Sequence, residues 1–156
     1  MRKTILFLLL GLITHLASAQ CKDYTDQLTG EVSRGGMIWI TPQVEAINLT
    51  YVGDSLQLVY INPNIRDFTM SVRRGQRAIL KTSRGLDTLY INKDYDNSPT
   101  TGLVATYTMD KDLSRYQNLS MIRVNVGSTH YDVTLKPRHT SQWNQLLGCI
   151  LTKPTR

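Results

Sequence analysis

After the first nineteen residues, apolar and polar positions alternate through most of the chain. Residues 37–40, Met-Ile-Trp-Ile, form a short β-prone run that stops at Pro42, and residues 46–51 form a second extended segment. Residues 55–61 place Leu56, Leu58 and Tyr60 on one face, and Asn62-Pro63-Asn64 supplies a turn. Phe68, Met70 and Val72 alternate next, and Arg73-Arg74-Gly75-Gln76 turns the chain into Ala78 and Leu80. Ser83-Arg84-Gly85 leads into a strand over residues 86–91, and residues 103–109 give another. The clearest hairpin sets Ile122, Val124 and Val126 against Tyr131, Val133 and Leu135 across Gly127-Ser128-Thr129. Period-two patterning with turns at short intervals predicts an all-β fold, an antiparallel β-sandwich with a barrel as the alternative closure.

Two segments break that period and predict short helices. Residues 110–119 offer Asp110 as a cap and turn Leu113 and Tyr116 inward. Residues 141–147 carry Trp143, Leu146 and Leu147 at helical spacing, with Gly148 as the left-handed stop. Residues 92–102, rich in Asp, Asn and Pro, read as a surface loop. With no repeat and no linker, residues 20–156 form one domain.

The first nineteen residues follow a different rule. Arg2 and Lys3 precede an almost wholly apolar run over residues 5–13, and Ala17-Ser18-Ala19 follows. That order predicts a signal peptide over residues 1–19, cut after Ala19, and a periplasmic or secreted product. The run is too short to span a bilayer, and no other comparable segment exists, so the mature protein has no membrane span. Gln20 and Ser18 stand where a lipidation signal before Cys21 places a small and an aliphatic residue, so a soluble product is expected.

Past that cut, sixteen Lys and Arg face twelve Asp and Glu, a net charge of +4. So mild a balance favours solubility and attraction to anionic surfaces, and it does not indicate nucleic acid. Cys21 and Cys149 are the only cysteines. In an oxidising compartment such a pair predicts a disulfide across nearly the whole mature chain. The alternative is two separately buried thiols.

Candidate chemistry is sparse. Gly53-Asp54-Ser55-Leu56 matches the name-motif of a secreted serine esterase family. That family resemblance implies an Asp-x-x-His partner, yet Gly127 and Lys136 stand three places before His130 and His139. A serine without its base is not activated, so a Gly-Asp turn is the expected role. Asp94, Asp96, Ser98 and Thr100 have the spacing of a calcium loop, but Pro99 and Ala105 replace its Gly and its Glu. No metal, cofactor or catalytic residue is therefore expected. Arg73, Arg74, Arg77, Lys81 and Arg84 cluster along one hairpin. Arg73, Arg74 and Arg77 form a candidate anion-binding patch, since guanidinium forks suit sulfate, phosphate and carboxylate; a solvated sheet edge is the alternative. Trp39, Tyr51, Tyr60, Tyr90, Tyr107 and Tyr131 lie in predicted strands, where core packing is the default. The sequons at Asn48 and Asn118 matter only in a eukaryotic secretory path.

Cys21 and the segment Asp26-Gln27-Leu28-Thr29-Gly30 resemble the opening of a group of small secreted proteins of Gram-negative bacteria with an Asp-x-Phe-Thr-Gly-like segment. Gly53-Asp54, Arg74-Gly75 and Arg123 fit the same outline, and Leu28 departs from it where an aromatic is expected. The resemblance implies an all-β exported domain and adds no catalytic residue. The expected function is a non-enzymatic binding or interaction module of the cell envelope, acting on a protein or an anionic glycan. The alternatives are a small hydrolase using Ser55 and a structural envelope component.

Overall fold

The computed structural model describes residues 21–42, 44–65, 71–91, 95–96 and 102–151. The signal segment, Phe68, Met70 and most of the calcium-like loop lie outside the described residues.

Two antiparallel sheets form the body. The first contains β1 (Lys22–Thr25), β2 (Val32–Thr41), β3 (Glu45–Val52), β4 (Ser55–Asn62) and β9 (Leu103–Met109), in the order β1-β2-β3-β4-β9. The second is ordered β11-β10-β6-β7, from β6 (Arg77–Thr82), β7 (Gly85–Tyr90), β10 (Met121–Val126) and β11 (Thr129–Thr134). A two-strand ribbon pairs β5 (Ser71–Val72) with β8 (Tyr95–Asp96). The sandwich expected from alternation is thus present, and β1 and β8 are added to it. Both additions lack an apolar period: all four residues of β1 are exposed.

Register turns alternation into a core. In the first sheet Ile38, Ile47, Tyr60 and Ala105 align across four strands, and Leu49, Leu58 and Tyr107 form the next row. Opposite them, Val133, Ile122 and Leu80 align, as do Val124, Ala78 and Leu89. Of these, none is more than 4% exposed. Burying one Leu or Ile side chain contributes about 1.5–3 kcal/mol before chain entropy is counted. The Tyr107 hydroxyl is fully buried there without a hydrogen-bond partner, and burial pushes it well above the usual phenol range.

The sheets meet along one side, where Ile91, just past β7, bridges Tyr107 of β9. The open side is covered by α1 (Pro137–Ile150), which follows β11 and packs on β2 and β3. Trp143, Leu146 and Leu147 face the core as their spacing predicts, and Ile150 joins them. The helix is longer than expected at both ends. Pro137 occupies its first turn, where the missing amide hydrogen costs nothing. Gly148 is not its stop: the helix continues to Ile150, which is fully buried. Cys149 in that last turn bonds Cys21, with 6.0 Å between Cα atoms. The predicted disulfide therefore fastens α1 to the start of β1, closing the open side covalently.

The other predicted helix is reduced to a 3-10 turn over Leu113–Tyr116, capped by Asp112 rather than Asp110. Asp110 Oδ1 accepts the Asp112 amide at 2.8 Å, and Asp112 Oδ1 accepts the Ser114 amide at 3.2 Å. Short polar side chains thus satisfy the backbone locally and remove the incentive for a longer helix. Asn118 then leaves the helical region at φ 55°, held by Asn144 of α1 through reciprocal bonds of 2.9 and 2.8 Å.

Candidate anion-binding face

The second sheet carries the basic residues singled out by sequence. Ala78, Leu80 and Thr82 point inward from β6, so Arg77, Ile79 and Lys81 point outward. Arg77 is paired in register with Tyr90 of β7. Val124 pairs with Ala78, which sets Asn125 of β10 beside Arg77. Asn125 in turn pairs with His130 of β11. One outward row therefore reads His130, Asn125, Arg77, Tyr90. At about 4.8 Å between strands it extends about 14 Å. His130 and Arg77 are exposed, Asn125 is half-buried, and Tyr90 is 58% exposed.

A groove of about 450 Å³ runs over this row. Its walls are the two turns that end the row's strands. One is Gly127-Ser128, a two-residue turn between paired Val126 and Thr129, with Gly127 at φ 58°. A Cβ there would find open space, so the left-handed backbone alone demands glycine. The other turn spans Arg73 to Gln76. The Gln76 amide donates to the Arg73 carbonyl at 3.1 Å, and the Gln76 side-chain oxygen accepts the Arg73 amide at 3.1 Å. Reciprocal backbone bonds to Ile91, 3.0 and 2.8 Å, anchor the turn at the seam between the sheets.

The five-residue basic cluster is thus divided. Of Arg73, Arg74 and Arg77, only Arg77 lines the groove; Arg73 and Arg74 are exposed on the adjoining turn. Lys81 shares the outward face with Arg77, as strand parity predicts. Arg84 sits in the opposite turn and donates to Ser114 Oγ at 2.7 Å. The length of β6, about 17 Å, lies between those two ends.

Charge on the neighbouring row is cancelled. Arg123 grips Asp132 across β10 and β11 with two bonds of 2.7 Å. The hydrogen bonds from Arg123 hold the Asp132 carboxyl below the usual carboxylate range. Arg34 grips Asp23 at 2.6 and 2.9 Å, and Arg115 reaches Asp87 at 2.9 Å and Asp110 at 3.4 Å. Arg77 has no carboxylate partner among the described residues.

Ser55 stands elsewhere. It opens β4 directly after the Gly53-Asp54 turn, across from Val52, and faces away from the core. The Gln57 amide nitrogen lies 3.5 Å from its hydroxyl. His130 is on the outer face of the other sheet, with the core between them. His139 is buried in the first turn of α1, where Nδ1 accepts the Lys136 amide at 3.3 Å. Burial, followed by the charges of Arg138 and Lys136, holds that imidazole below its ordinary range. The geometry joins neither histidine to Ser55.

No protein-family model matches the chain, and neither a curated protein nor a solved structure matches it. Among the described residues there is no group of three or more His, Cys, Asp or Glu arranged to hold a metal ion. No helix among them is long and apolar enough to cross a membrane.

Not every aromatic takes the core role expected of it. Tyr60 and Tyr107 are buried, whereas Trp39 and Tyr90 are 49% and 58% exposed. Parity explains both: Ile38 and Leu89, their chain neighbours, claim the inward positions. Tyr90, Asn125 and His130 join the groove without having been singled out as binding residues in the sequence. The turns that join β6 to β7 and β10 to β11 were readable there, but the β6–β10 pairing that unites the two hairpins was not.

Proposed function

We propose that the chain is an exported, non-enzymatic binding module that takes an anionic group on the outer face of its second sheet. The observation that carries this reading is the contrast among its arginines. Arg34, Arg115 and Arg123 each hold a carboxylate, while Arg77 lies beside a polar groove and holds none among the described residues. An unpaired guanidinium keeps its fork of donors for a carboxylate, sulfate or phosphate brought by a partner. Export is supported by the basic-then-apolar first nineteen residues and by the disulfide, a bond favoured in oxidising compartments.

A charge-matched pair of variants tests the site. Arg77→Ala and Arg84→Ala each remove one positive charge, at opposite ends of β6. On a heparin column, Arg77→Ala is expected to elute at clearly lower salt than the wild type, and Arg84→Ala close to it. Equal losses would mean that net charge alone governs retention, and the site would be withdrawn.

A further inference from the structure

We infer that the anion taken by this face belongs to an acidic oligosaccharide, lying across the strands with one ring stacked on Tyr90 and its charged group on Arg77. This rests on the anion-binding reading above and names its ligand class. The row His130, Asn125, Arg77, Tyr90 supplies what such a chain requires, in the right order. Tyr90, 58% exposed, offers an aromatic ring against which the C–H face of a sugar ring packs. Arg77, its register partner on the next strand, lies where a substituent of that ring would project. Its planar fork matches a uronate carboxylate or a sulfate in two bonds. Asn125 presents an amide, which donates and accepts at once, the pairing that adjacent sugar hydroxyls satisfy. Ser128 and Thr129, on the wall beside His130, add hydroxyls that serve in both senses. The row's span of about 14 Å suits several linked rings rather than one small ion.

The same face is poorly made for other carriers of negative charge. A protein partner is held by apolar or aromatic anchors seated in dry pockets. Among the described residues that line this groove, Tyr90 is the single Phe, Trp or Tyr, and its neighbours are Gln76, Arg77, Asn125, Ser128, Thr129 and His130 beside glycines. An anionic membrane is held by many converging cations. Here the adjacent row is neutralised by the Arg123–Asp132 pair.

The test uses the disulfide-bonded protein and four probes: hexagalacturonate, its methyl ester, a heparin hexasaccharide and hexaglutamate. Calorimetry should show binding of at least one acidic saccharide. Arg77→Ala should weaken it about tenfold, the loss of one charge-assisted contact. Tyr90→Ala should weaken it to a similar degree, while Tyr90→Phe retains it, because the ring and not the hydroxyl makes the contact. The methyl ester should bind no better than Arg77→Ala binds the acid. Both positions are exposed, and circular dichroism confirms that each variant is folded. Hexaglutamate binding that depends on Arg77 and ignores Tyr90, without saccharide binding, would overturn the oligosaccharide and leave the anion site standing. Absence of Arg77-dependent binding to every acidic probe would overturn both.

Discussion

Replacing Cys21 and Cys149 by serine is expected to lower the free energy of unfolding by about 2–5 kcal/mol. The two cysteines are 128 residues apart, so the bridge closes almost the whole domain into one loop. In the chain-entropy view, long closures stabilise most, because they remove the most freedom from the unfolded chain. A domain of this size retains only about 5–15 kcal/mol in total, so the change is a large fraction of its stability. The loss should also have a place. β1 has four exposed residues, and apart from the bridge it is fixed by its pairing to β2 and by the Asp23–Arg34 ion pair. Hydrogen exchange on the reduced protein should therefore show β1 and the last turn of α1 losing protection before the β3–β4 hairpin. A urea midpoint unchanged by reduction would show that the bridge constrains nothing.

The second large effect is expected at Trp143. Its side chain is fully buried between α1 and the sheets, and its indole nitrogen donates to the Tyr116 carbonyl at 2.7 Å. Trp143→Ala should cost about 3–5 kcal/mol, the usual toll for emptying an aromatic site in a core. Trp143→Phe keeps much of the ring but leaves the Tyr116 carbonyl without its donor, which adds about 1–3 kcal/mol to a smaller packing loss. Urea unfolding of the two variants separates the contributions. If Phe restored full stability, the bond to Tyr116 would be irrelevant, and α1 would be held by apolar contact alone.

Alternation made the central strands legible. Residues 103–109 were readable as a strand because inward positions 103, 105, 107 and 109 are all apolar or aromatic, and all are buried. β1 was not legible, because an edge strand exposed on every side carries no period. Gly148 misled because an exposed glycine resembles a stop, yet Ile150 and the Cys149 bridge beyond it reward two further helical residues. Residues 110–119 misled because their apolar spacing suited a helix, while Asp110 and Asp112 spent their side chains on local turns. At the site, Arg73, Arg74 and Arg77 were legible as charge in one hairpin. Their separation from Arg84 required the length of β6. Their company with Asn125 and His130 required a strand pairing between segments some forty-five residues apart in sequence.

The most direct measurement is an amide chemical-shift map during titration with a heparin hexasaccharide. The largest changes should fall on Arg77, Tyr90, Asn125 and His130 and on the turns flanking them. Changes concentrated instead around Met37 and Trp39 on the outer face of the first sheet, or around Leu28 in the β1–β2 loop, would contradict the assignment of binding to the second sheet.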